Sequence, residues 1–191
     1  MKTAPHSISA ENAADLITHG KPLIDLHVKG TLNLYSLKEQ IKSELIMQNC
    51  IVEDLVSPSI EFEHPVRITG STIVKCSFNY AYFLAGLTID HSTFNSYVDF
   101  EFGGHNQNNS PLTITNSTFE EFVNFFDCWF KSEVIISHNH FVKGTNLLGN
   151  MDDSYRTHFE VEPVIENNRG AIDLDGEGDK KVNTIYLRNP E

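Results

Sequence analysis

Nine histidines, three cysteines and several closely spaced acids are the residues of this chain best suited to chemistry. His91 and His138 hold the same fifth place in two copies of an eight-residue pattern, LTIDHSTF and VIISHNHF. Asn116 holds that place in the copy between them. If the copies stack as neighbouring strands, the two histidines lie about 9.6 Å apart. A zinc–nitrogen bond is about 2.0–2.1 Å long, so they cannot share one ion. His138 and His140 can share a face, but no third ligand accompanies them. The acidic run from Asp173 through Asp175 to Asp179 is faintly like a calcium loop. It lacks the 12-residue spacing and closing glutamate of an EF-hand, and reads as a solvated turn.

Paired carboxylates hydrolyse glycosides in some enzymes. Glu120, Glu121, Asp127 and Glu133 gather near one repeat, and Asp99 and Glu101 lie one repeat earlier. Asp99 and Asn124 fall at corresponding positions, so the acids do not form a column. No Lys/Arg cluster accompanies them to hold an anionic sugar. Cys50, Cys76 and Cys128 are odd in number and each precedes an apolar position, which reads as buried core thiols in a reducing, cytoplasmic protein. Phosphate-binding glycine loops, a Ser-His-Asp signature and zinc-finger spacing are missing, and Gly103-Gly104 opens no such loop. No catalytic residue, metal or cofactor is expected.

The elements that position these residues come from an internal repeat. LTIDHSTF at Leu87 recurs as LTITNSTF at Leu112. Weaker copies begin at Ile24, Leu45, Val66 and Val134, at spacings of 21, 21, 21, 25 and 22 residues. The first and third places are apolar in all six; the eighth is apolar except in the Ile24 copy, where it is Thr31. Inside each copy runs a triplet of small, any and large apolar residue. Ser71-Thr-Ile73, Cys76-Ser-Phe78 and Ala81-Tyr-Phe83 each follow by five residues. A five-residue step is neither helical nor that of a flat strand. It fits a coil of about 21 residues with four inward stations, stacked about 4.8 Å from the next. Phe94 and Phe119 then belong to one ladder.

These triplets (STI, CSF, AYF, STF, STF and CWF) resemble the pentapeptide-repeat proteins. The resemblance covers residues 45–141 and, more weakly, 24–44. It implies an all-β, right-handed parallel, quadrilateral-like β-helix solenoid. A less regular right-handed β-helix of the carbohydrate-acting kind fits the same residues. A β-sandwich does not explain near-identical octapeptides 25 residues apart.

The chain divides into a capping segment (1–23), a β-helix of about six coils (24–144) and irregular C-terminal strands or a cap (145–191). Ser9 is placed to cap a short helix that Gly20 ends, and this helix covers the open end of the solenoid. Residues 37–45 read as a loop entering a coil. Residues 103–111, GGHNQNNSP, read as a surface loop. His158–Val161, Val164–Asn167 and Thr184–Leu187 are strand-like.

The 191 residues carry a formal charge of −12, and 13 are phenylalanine. No apolar run is long enough to span a bilayer, and the N-terminal segment lacks the apolar stretch of a secretory signal. Residues 46–144 hold four basic and eleven acidic side chains, a net of −7. Such a surface argues against direct nucleic-acid binding. The resemblance implies that a negative rod can imitate the charge of a nucleic acid toward a partner protein.

The expected function is a non-enzymatic protein-interaction module with an acidic surface; the alternative is a carbohydrate-active lyase or hydrolase. The expected partner is a protein, a second copy of the chain among the candidates, and not nucleic acid or membrane. Tyr97 and Trp129 are the expected exposed anchors. His105 and Asn106 in the loop, with Glu120 and Glu121 on the fifth coil, complete the candidate contact residues.

Overall fold

The computed structural model describes residues 5–151 and 155–178. It is an all-β parallel β-solenoid of about six turns with one short helix near its N-terminus. The first face stacks seven strands: Leu23–Ile24, Leu45–Gln48, Val66–Thr69, Leu87–Asp90, Leu112–Thr115, Val134–Ser137 and Val164–Glu166. The second face carries Leu26–Asn33, Ile51–Val56, Thr72–Ile73, Thr93–Phe94, Thr118–Phe119 and His140–Phe141, with His6–Ser9 added at one end. The third face pairs Val98–Asp99 with Val123–Asn124, and the fourth pairs Trp129–Phe130 with His158–Phe159. Every paired register is parallel.

Ile68, Ile73, Phe78 and Phe83, each five residues on, mark the four columns that fill the core. On the second face the column runs Val28, Val52, Ile73, Phe94, Phe119 and Phe141, all fully buried. The rings of Phe94, Phe119 and Phe141 stack at centroid distances of 5.0 and 5.1 Å. Phe78, Phe100 and Phe125 stack at 5.2 and 5.0 Å, and Phe62 stacks on Phe83 at 5.3 Å. Burial of these rings is the main stabilising term of the fold.

The corner after the first face has one solution at all seven of its strands. Asp25, Asn49, Gly70, His91, Asn116, His138 and Asn167 each adopt φ between 47° and 59°. Asn, Asp, His and Gly tolerate this left-handed conformation better than other residues. The backbone then turns inward, and the next residue supplies what the strand ladder no longer can. Ser71 N–H donates to Ser92 Oγ at 3.2 Å, Ser92 N–H to Ser117 Oγ at 3.1 Å, and Ser117 N–H to Asn139 Oδ1 at 3.0 Å. Cys50 N–H likewise donates to Ser71 Oγ at 3.0 Å. At this corner Ser71, Ser92, Ser117 and Asn139 are therefore polar staples between coils.

The first coil differs from its sequence register. Leu23 pairs with Met47 and Val28 with Val52, so this copy begins at Lys21 and not at Ile24. Its eighth place is Val28, not Thr31, and the break in pattern falls at Lys21. The helix Ala10–Thr18 is capped by Ser9, whose Oγ accepts from Asn12 N–H at 3.2 Å, and Gly20 follows at φ 67°. Ala13 and Ile17 seat in the core cluster. One 3-10 turn, Tyr35–Leu37, opens the loop into the second coil.

Residues 103–106 are not surface loop. Gly103 and Gly104 are buried within the stack, and Trp129 N–H donates to Gly103 O at 3.1 Å. A Cβ at Gly103 would meet Ala81 O and Phe100 O at 2.7 Å. Stacking also continues past residue 144: Thr145 bridges Val123, and Val164–Glu166 pairs with Ile135–Ser137. Thr184–Leu187 and Asp179 lie outside the described residues.

Candidate functional site

Two ladders of rings run up the outside of the same four coils. Along the corner before the fourth face, Tyr80 stacks on Phe102 at 4.8 Å, Phe102 meets Phe126 edge-on at 6.1 Å, and Phe126 stacks on Tyr155 at 5.1 Å. Two or three residues further along each coil, Tyr82 lies 4.1 Å from His105, His105 lies 6.5 Å from Trp129, and Trp129 meets His158 edge-on at 5.0 Å. Between the ladders the chain dips inward through Ala81, Gly103 and Cys128, all buried. These small residues let the coils close under the outer rings.

Tyr80, Trp129 and Tyr155 remain 44%, 45% and 48% exposed. Tyr80 and Phe102 hold left-handed backbones (φ 56° and 55°), an unusual conformation for aromatic residues. Burial of the Tyr80 hydroxyl, and then the charges of Glu101, Asp127 and Asp99, raise its pKa. Burial lowers the pKa of His105, helped by Lys131 and opposed by Glu61. Trp129 Nε1–H donates to Glu160 Oε1 at 2.8 Å. The wall is thus aromatic at its centre and bordered mainly by carboxylates.

The sequence-based candidates separate. Trp129 and His105 share this wall. Tyr97 is only 3% exposed: its ring lies beside Phe122 and its hydroxyl donates to Glu177 O at 2.7 Å. The tail covers it, because Gly178 packs on the Phe122 ring, so Tyr97 is not an exposed anchor. Asn106 is wholly buried. Its Oδ1 accepts from Lys131 N–H at 3.1 Å, and its Nδ2 donates to Ser110 O and Glu133 O, both at 3.1 Å. It fastens the loop and offers nothing to a partner directly. Glu120 and Glu121 are exposed just after Phe119, at a different corner.

Asp99 lies opposite Asn124 in register and accepts from Asn124 Nδ2 at 3.0 Å, a buried polar rung with no neighbouring acid column. Cys50, Cys76 and Cys128 are buried thiols, and burial raises the pKa of all three. Among the described residues no group of three His, Cys, Asp or Glu side chains is placed to hold a metal ion. No described helix is long and apolar enough to cross a membrane.

The chain matches no protein-family model, no curated protein and no solved structure.

Sequence reasoning missed Tyr80, Tyr82, Phe102, Phe126, Tyr155 and His158. Their signal is a pair of rings two or three residues apart in each coil: 80 and 82, 102 and 105, 126 and 129, 155 and 158.

Proposed function

We propose that this chain is a non-enzymatic protein-interaction module that presents an acidic solenoid surface and docks a partner protein on its aromatic wall. The doubled outer ladder carries this reading. Tyr80, Trp129, Tyr155 and His158 are exposed among the described residues, and clustered exposed rings are the usual anchors of an interface. Glu61, Glu101, Asp127 and Glu160 border the rings, against Lys131 and Arg156. The partner that complements them carries basic residues around an apolar patch.

Kinship with the pentapeptide-repeat proteins is part of the proposal. The five-residue steps from Ile68 to Phe83 and the four inward columns support it, while the longer first, fourth and sixth coils depart from that pattern. The three buried thiols support a cytoplasmic location.

Affinity capture with the intact chain, quantified against Tyr80→Ser and Tyr155→Ser variants, tests the docking reading. A partner retained by the intact chain and lost with these variants supports it. A partner indifferent to both contradicts it.

A further inference from the structure

We propose that the cleft bounded by Gln107, Asn108, Lys131 and Glu160, beside the exposed indole of Trp129, binds a neutral saccharide. This site goes beyond the protein-docking reading and does not depend on it. The cleft is shallow and open to solvent, with a volume of about 430 Å³.

Its lining suits a hydroxyl-rich ligand. The side-chain amides of Gln107 and Asn108 each donate and accept hydrogen bonds, Lys131 donates, and Glu160 accepts. Vicinal sugar hydroxyls need donors and acceptors in such mixture. One ammonium and one carboxylate balance each other, so the lining favours neither an anion nor a cation. Trp129 supplies an apolar surface for the C–H face of a sugar ring. Its indole is oriented by the hydrogen bond to Glu160 Oε1, and among the described residues Glu160 Oε2 accepts no hydrogen bond.

The cleft is also built in advance. Gln107 N–H donates to Leu84 O at 3.1 Å, and Ser110 N–H closes a turn onto Gln107 O at 3.0 Å. Asn106, buried beneath, ties this turn to the backbone of Lys131 and Glu133. A loop fixed in its binding shape loses little further freedom when a ligand arrives.

Trp129 is the single tryptophan of the chain, so the emission comes from one indole beside this site. The intact chain is titrated into the millimolar range with neutral tetrasaccharides of β-1,4-glucan, β-1,4-xylan, α-1,4-glucan and chitin. A galacturonan tetrasaccharide and a tetra-arginine peptide are the charged comparators. A saturable emission shift is expected with at least one neutral sugar. Asn108→Ala and Lys131→Ala, with unchanged circular dichroism, should each weaken that binding by about 2- to 10-fold, as for the loss of one hydrogen bond. A response to no neutral sugar, a response to a charged comparator only, or binding unchanged in both variants overturns the proposal. Loss of sugar binding in Asn108→Ala, a residue outside the docking wall, with partner capture retained separates the two sites.

Discussion

The amide of Ser71 is satisfied by the hydroxyl of Ser92, one coil away, at 3.2 Å. The same hydroxyl donates to Asp90 O at 2.9 Å, so one small side chain closes the corner of two coils. Ser92→Ala would leave the buried Ser71 N–H without an acceptor, at about 1–3 kcal/mol. Cys50 fills the equivalent place and its thiol donates to Leu23 O at 3.3 Å, so Ser92→Cys should cost less than Ser92→Ala. Urea denaturation of the two variants, compared at equal m-value, checks the order.

Phe119 lies between Phe94 and Phe141 in an unbroken stack, with no exposed surface. Phe119→Ala should lose about 3–5 kcal/mol, through lost transfer energy and the cavity left behind. Phe119→Leu fills most of that space and should recover much of the loss. Thermal and urea midpoints measure both.

His138 is an exposed corner residue at φ 58°. A β-branched residue there meets its own backbone, so His138→Val should destabilise by about 1–2 kcal/mol. His138→Gly should stay within about 0.5 kcal/mol of the natural chain, because relieved strain offsets added chain entropy. The contrast distinguishes a conformational role from a ligand role, in which both substitutions abolish the same activity.

Burial pushes the Asp90 carboxyl up, but hydrogen bonds from Asn116 and Thr115 and the adjacent His91 outweigh it and hold the pKa below the usual carboxylate range. A lowered folded pKa favours the ionised form. Its contribution is therefore present above the unfolded value of about 3.9 and disappears as pH falls through the folded value. The site is partly solvated, so the contribution should be under about 1 kcal/mol. Asp90→Asn should lose some stability near neutral pH and show a shallower decline below about pH 4. Urea midpoints across pH measure the difference.

The repeat was legible because the octapeptides at Leu87 and Leu112 place like residues on like residues, and the stacked Phe94 and Phe119 follow directly. The first coil was misaligned because Lys21 interrupts the apolar first place that marks the later copies. Gly103 and Gly104 have loop-like composition, yet their missing Cβ atoms let the backbone pass close beneath Ala81 and Trp129. Tyr97 occupies an outward place of its coil, and only the return of residues 176–178 over Phe122 buries it. The aromatic wall was hidden by coil length: insertions before Trp129 and Tyr155 break any fixed spacing, while the backbone restores the alignment.

The most direct test of the docking wall is hydrogen–deuterium exchange of the chain with and without the protein it captures. Protection is expected at residues 80–82, 102–105, 126–129 and 155–158 together, and it should vanish when Tyr80→Ser and Tyr155→Ser are combined. Protection confined to the corner of Glu120 and Glu121, with these four segments unchanged, would contradict it.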